Sequence, residues 1–284
     1  MCSSDLTFKG NPLILVGRNL DTGSEAPDFR VISQDLKEVH LSDFEGKIKI
    51  LTSFPSLDTP VCDLQVKEFN KRATKFSSEI VVLAISKDLP FAQKRFCSEN
   101  DIKNINVLSD YRFASFGLNY GLQIKELNLL ARSILIADKN NILRYLQLVG
   151  ELTQSPDFDG ALKALEETVK SPASSAGQGR PSKCVPCETG TPPLPKEKVN
   201  ELMKGADGWQ LLEDKKIQKE FKFGDFAEAK YFLDIVSVIA EEQGHHPTMT
   251  IIYNKVKITL TTHASGGLTE NDFIMARIID GIGG

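Results

Sequence analysis

Apolar and polar residues follow two different rhythms along this chain, and the change between them falls near its middle. In the first half, short apolar runs such as Lys49-Ile-Leu-Thr-Ser-Phe54, Ile80 to Ile85 and Ile134 to Ala137 predict buried strands. Helical patterns lie between and after them: Val61 to Phe69, Phe91 to Cys97, and a stretch carrying Phe158, Leu162, Leu165 and Val169. That alternation predicts an α/β domain over residues 1–170. Residues 171–183 include Ser171-Pro-Ala-Ser-Ser-Ala-Gly-Gln-Gly-Arg-Pro-Ser182, rich in Ser, Gly and Pro, and predict a flexible linker. Residues 184–284 then read as helix, two strands, long helix, two strands and a last helix. This order predicts a small α+β domain, an antiparallel sheet with helices on one face. Its long helix opens at Asp225 with Glu228 three residues on, a capping-box arrangement, and carries Phe226, Leu233, Val236 and Ala240. The last helix begins near Thr269, again with an acidic residue, Asp272, three positions later. Strands Met249–Tyr253 and Val256–Thr261 are expected to join through a tight turn at Asn254-Lys255.

Composition narrows the class without changing this picture. A chain of 284 residues suits two domains, and 41% hydrophobic with 25% charged residues is enough for sizeable cores. A net charge of −4 gives no reason to expect a nucleic-acid or membrane surface as partner. Apolar runs such as Ile235 to Ala240 are far too short to span a bilayer. No charged segment followed by an apolar stretch opens the chain, and five cysteines without a scaffold pattern suit a reducing compartment. The expected location is the cytoplasm.

The most informative cysteine is Cys62. It follows a strand-like run and opens a helix-like one, so it lies on a first helical turn, where unpaired N–H groups and the helix dipole stabilise a thiolate. Thr59 lies three residues upstream, within reach of anything bound at the sulfur. A cysteine is more often a small buried apolar residue than a nucleophile, and the surrounding Pro55-x-x-x-Thr59-x-x-Cys62 spacing tips the reading to nucleophile. That spacing resembles the peroxiredoxins, and Ser56-Leu-Asp-Thr-Pro-Val-Cys62 resembles their bacterial thiol peroxidase branch. Thr7-Phe-Lys-Gly-Asn-Pro-Leu, Gly23-x-x-Ala-Pro-Asp-Phe29 and Ala131-Arg-Ser-Ile-Leu-Ile-Ala-Asp138 are similar to the same branch. The resemblance implies a thioredoxin-like fold and reduction of hydrogen peroxide and organic hydroperoxides. It implies Cys62 as peroxidatic nucleophile, Arg132 stabilising the thiolate and polarising the peroxide, Thr59 donating a hydrogen bond, and Pro55 shielding the pocket. It further implies Cys97 as resolving cysteine, an intramolecular Cys62–Cys97 disulfide, and reduction by thioredoxin or a similar dithiol. Cys2 has no motif around it and reads as a mobile terminal residue.

In the second half, His245, His246 and His263 fall within nineteen positions. His245 and His246 follow the long helix, and His263 follows a strand expected to return towards them. Three imidazoles meeting at one end of a sheet suit a metal site, an acid–base site or structural roles. The wider pattern is Glu241-x-x-x-His245-His246-Pro247, Tyr253, His263 and Asp272, with Gly208-Trp209 early in the domain. It resembles the pterin-4a-carbinolamine dehydratases. The resemblance implies dehydration of a 4a-hydroxytetrahydropterin to quinonoid dihydropterin, with pterin as substrate and neither a bound cofactor nor a metal. It implies His245 and His263 as the acid–base pair and His246 as a ring-orienting residue. Glu241, Asp272 and Trp209 become the remaining substrate-side positions, the carboxylates tuning the imidazoles and Trp209 serving equally as core or as ring platform. Gly244 departs from the pattern, which often has an acidic residue there. Cys184-Val-Pro-Cys187 sits in a Pro-rich lead seen in some bacterial members. It reads as a family relic or half-site, with a dithiol that reduces the Cys62–Cys97 bond as the sharper alternative. Both kinds of domain commonly self-associate, so a homo-oligomer is expected. The competing reading of the whole is a peroxide sensor fused to a non-catalytic pterin-binding or dimerisation module.

Overall fold

The computed structural model describes residues 6–170, Cys184 and residues 192–283. The predicted linker, Cys2 and Cys187 lie outside the described residues. The chain divides into two compact units, the first holding residues 6–170 and the second Cys184 and residues 192–283.

In the first unit, two-residue strands at Thr7–Phe8 (β1), Asn11–Pro12 (β2) and Leu15–Val16 (β3) precede Arg30–Ile32 (β4) and Glu38–His40 (β5). The central run is Ile48–Ser53 (β6), helix α1 (Pro60–Ala73), Ile80–Ser86 (β7), helix α2 (Pro90–Glu99) and Asn106–Ser109 (β8). A short helix α3 (Ser115–Asn119) and strands Gln123–Ile124 (β9) and Leu129–Leu130 (β10) follow. Ser133–Ala137 (β11), Leu143–Leu148 (β12) and helix α4 (Phe158–Lys170) complete the unit. Seven strands form the main sheet in the order β12-β11-β6-β7-β8-β4-β5, with β6, β7 and β8 parallel and β11 antiparallel to β6.

The sheet is apolar on both faces because β6 and β11 are buried along their whole length. Ile50, Ile134 and Ile136 pack with Cys62, Val66 and Phe69 of α1, Cys97 of α2, and Ala161 and Leu165 of α4. Leu51, Leu135 and Ala137 point to the other face, against Phe116 of α3 and Tyr120. On α4 the buried stripe is Ala161, Leu165 and Thr168, whereas Val169, assigned to it from the sequence, is 52% exposed. The register places the site: Ser133 pairs with Ser53, so Arg132 stands where the chain leaves β6 for Pro55 to Cys62. This is the carboxyl end of the parallel strands, where open α/β sheets bind ligands.

The second unit runs α5 (Lys196–Met203), Gln210–Leu212 (β13), Lys216–Lys222 (β14), α6 (Phe226–Gln243), Thr248–Ile252 (β15), Lys255–Leu260 (β16) and α7 (Glu270–Gly283). Its antiparallel sheet has the order β13-β14-β16-β15. Strand alternation puts Ile217, Phe221, Val256, Ile258 and Leu260 in the core with α6 and α7 packed on the sheet. Two local expectations are corrected. Phe226 is 51% exposed, and the buried stripe of α6 is Ala229, Phe232, Ile235, Val236, Ile239 and Ala240. The β15–β16 turn is Tyr253-Asn254, since Ile252 pairs with Lys255 and Tyr253 takes φ 50°. Asn254 holds it there by donating to the Phe223 carbonyl at 2.7 Å, a tertiary contact that outweighs local turn preference.

Candidate active sites

Cys62 is the third residue of α1, behind Thr59 at the N-cap and Pro60 at the first helical position. Proline fits there because that N–H has no helical partner. The thiol is fully buried. Two donors reach its Sγ: Thr59 Oγ1 at 2.7 Å and Arg132 Nη2 at 3.3 Å. Thr59 Oγ1 also lies 3.1 Å from the Ser56 carbonyl, so its single proton turns to sulfur when the sulfur is an acceptor. Pro55 is buried in the loop between β6 and α1. The structure thus brings Thr59, Cys62 and Arg132 into contact.

Arg132 is itself 1% exposed, and its two terminal nitrogens are paired while its buried Nε has no hydrogen-bond partner among the described residues. Nη1 donates to Gln65 Oε1 at 2.6 Å, and Nη2 donates to the Leu152 carbonyl at 2.9 Å as well as to Cys62. Gln65, one turn beyond Cys62, passes its own amide protons to Thr52 Oγ1 and the Ser53 carbonyl. The loop before α1 is tied down by Asp88, which accepts from Ser56 Oγ at 2.7 Å and from the Leu57 N–H at 2.8 Å. Asp88 lies two residues before α2, the helix that carries Cys97. Cys97 is 7% exposed and a free thiol, like Cys62, and Gln34 Nε2 donates to its sulfur at 3.2 Å. Burial pushes the Cys97 thiol above its ordinary 9.0, with the Gln34 hydrogen bond opposing.

The second site is built around Asp272. His245, 9% exposed, sets Nε2 at 2.8 Å from Asp272 Oδ1. The other carboxylate oxygen accepts from Thr262 Oγ1 and from the Thr269 N–H, each at 2.8 Å. Asp272 therefore closes the first turn of α7 and grips a histidine from the end of α6. With the carboxylate as acceptor, this contact places a proton on His245 Nε2. His263 follows Thr262 in a short 3-10 turn and is exposed. His246 is also exposed, with Nε2 at 3.0 Å from Glu241 Oε2. Gly244 ends α6 at φ 61°, the left-handed cap that glycine takes without strain. Trp209 is 5% exposed, edge-on to Phe221, and its Nε1 donates to both oxygens of Asp280 at 3.2 and 3.0 Å. Its indole is a core element with a satisfied N–H. Cys184 is buried near the same helices: its N–H donates to Gln243 Oε1 at 2.8 Å and its thiol faces the Asn271 carbonyl at 3.7 Å. Among the described residues, no three His, Cys, Asp or Glu side chains form a set that could hold a metal.

The redoxin family model matches residues 21–165. A thiol peroxidase of Staphylococcus saprophyticus is 47% identical over 161 residues, 57% of this chain and 97% of its own. The chain belongs to the thiol peroxidase family. A peroxiredoxin-like protein from Aquifex aeolicus, 37% identical, covers 57% of this chain and 96% of its own with a TM-score of 0.55. The family model for pterin 4 alpha carbinolamine dehydratase matches residues 192–282, so the thiol peroxidase-like half is fused to a pterin dehydratase-like domain. A transcriptional coactivator/pterin dehydratase from Brucella melitensis is 39% identical over 32% of this chain and 99% of its own, at a TM-score of 0.32.

Several contacts around the two sites were not read from the sequence. Gln65 left a signal, a polar residue on the face of α1 that also buries Cys62, Val66 and Phe69. Gln34, Asp88 and the Leu152 carbonyl left none, because only the fold brings them to Cys97, to the Ser56–Leu57 loop and to Arg132. The spacing of Thr269 and Asp272 signalled their capping contact, whereas Thr262 gave no sign of sharing that carboxylate with His245.

Proposed function

We propose that Cys62 reduces hydrogen peroxide and organic hydroperoxides, and that the second domain dehydrates 4a-hydroxytetrahydropterin. The observation that carries the first reaction is the pair of hydrogen bonds from Thr59 and Arg132 to one buried sulfur. The Cys62 thiolate attacks one peroxide oxygen, the O–O bond breaks, and the departing oxygen takes a proton to leave as water or alcohol. Arg132 and Thr59 offer positive charge and a donor where negative charge builds, and Pro55 keeps bulk water out. The Cys97 sulfur then attacks the sulfur of the Cys62 sulfenic acid, releasing water and forming a Cys62–Cys97 disulfide. An external dithiol, thioredoxin or a similar protein, returns both thiols by exchange. Reducing conditions such as the cytoplasm suit this cycle.

In the second domain, His245 and His263 move the protons. One delivers a proton to the 4a-hydroxyl, which leaves as water, and the other removes the N5 proton to give quinonoid dihydropterin. Asp272 fixes the tautomer of His245, while Glu241 and His246 stand at the rim to orient the ring. Pterin is the substrate, and no bound cofactor or metal takes part. Both domains are expected to work in a self-associated protein. The test is direct. Cys62→Ser should abolish dithiol-dependent peroxide consumption and leave dehydratase turnover intact, and His263→Ala should do the reverse. Peroxidase activity surviving in Cys62→Ser would sink the assignment.

A further inference from the structure

We propose that Glu151 is a positioning residue for Arg132, acting through the single peptide unit between Leu152 and Thr153. The inference rests on the reading of Cys62 and Arg132 as the peroxide-reducing pair. A trans peptide is planar, with its C=O and N–H pointing in opposite directions. In this unit the Leu152 carbonyl accepts from Arg132 Nη2 at 2.9 Å, and the Thr153 N–H donates to Glu151 Oε1 at 3.1 Å. Fixing one end of the plane aims the other. The guanidinium nitrogen held by Leu152 is the same one that reaches the Cys62 sulfur. Tilting this peptide therefore swings that nitrogen off the sulfur.

Glu151 has unusual resources to hold the plane. Its carboxylate also accepts from Thr153 Oγ1 and Thr7 Oγ1, each at 2.8 Å, and from the Lys9 and Gly10 N–H groups at 3.0 and 3.2 Å. The last two come from the β1–β2 turn, where Lys9 at φ 51° and Gly10 at φ 79° give the double left-handed geometry that points both amides at one acceptor. The Thr7 and Thr153 hydroxyls bring the carboxyl down to about 2, so it stays an ionised acceptor at working pH. The N-terminal hairpin is fastened to the same loop by its backbone: Thr7 N–H to the Gly150 carbonyl at 2.8 Å and Leu152 N–H to the Thr7 carbonyl at 3.0 Å. Thus Thr7-Phe-Lys-Gly10, far from Cys62 in sequence, braces its arginine.

The experiment is a double-mutant cycle read by the single-turnover rate at which peroxide converts Cys62 to sulfenic acid, trapped by a dimedone-type reagent. Glu151→Gln replaces one acceptor oxygen with a donor amide, and it should slow this step about tenfold while leaving closure of the disulfide unchanged. On an Arg132→Lys background the same change should slow it less than about twofold further, because the arm it positions is gone. An unchanged rate in folded Glu151→Gln protein, or the same factor on both backgrounds, would overturn the proposal. If Glu151→Gln does not fold, Thr7→Val takes its place, and additive effects with Arg132→Lys would overturn the proposal equally. Wild-type Cys62 that peroxide leaves unoxidised would defeat the peroxidase reading itself, which is a separate failure.

Discussion

At the scale of single residues, the chemistry depends on the donors that reach Cys62 and on what holds them in place. Thr59→Val keeps the shape of the side chain and removes its one donor to sulfur, so peroxide reduction should fall by about ten- to a hundredfold in stopped-flow assays. Gln65→Leu leaves a buried guanidinium nitrogen without its 2.6 Å partner, and it should cost about 3 kcal/mol in denaturant unfolding. Burial holds the Cys97 thiol protonated beyond its ordinary 9.0, so disulfide closure should keep accelerating as pH rises past that value. A closure rate that levels off below pH 9 would contradict this. Glu151 acts in the opposite range. Its folded value is depressed from 4.5 to about 2, so its contribution to stability is present above 4.5 and is lost as pH falls through about 2. Acid unfolding between those values should be shallower in Glu151→Gln than in the wild type.

At the scale of elements, what was legible in the sequence divides along physical lines. The strand at Ile48–Ser53 and the helix bearing Cys62 were readable because an unbroken apolar run met a proline at the first helical position. Arg132 beside Cys62 was readable through family resemblance, and the antiparallel pairing of Ser133 with Ser53 supplies the physical reason. The Tyr253-Asn254 turn and the exposed Phe226 were misread because a tertiary hydrogen bond and the choice of helix face override local preference. The carbonyl of Leu152 was invisible, since every residue type carries one. The loop from Pro55 to Thr59 joins β6 to the helix that carries Cys62. Asp88 ties it to the strand end from which α2 and Cys97 depart. Asp88→Ala strips the Leu57 N–H and the Ser56 hydroxyl of their acceptor, which should lower stability by about 1–3 kcal/mol and raise amide exchange in residues 55–59. Unchanged exchange there would show that the loop is held by other means.

At the scale of the whole molecule, two units with separate cores carry two unrelated sites on one chain. No described helix is long and apolar enough to cross a membrane. Cys184 is buried against the α6 and α7 side of the dehydratase domain, with its thiol on the Asn271 carbonyl, which ill suits it as an accessible reductant of the first domain. The two activities are therefore expected to run independently, each surviving inactivation of the other. The most direct test of this account is a disulfide map by peptide mass spectrometry after one equivalent of peroxide is added to the fully reduced protein. A dominant Cys62–Cys97 peptide is expected, with Cys184 still reduced. A Cys62 that remains a thiol, or a cross-link from Cys62 or Cys97 to Cys184 or Cys187, would contradict it.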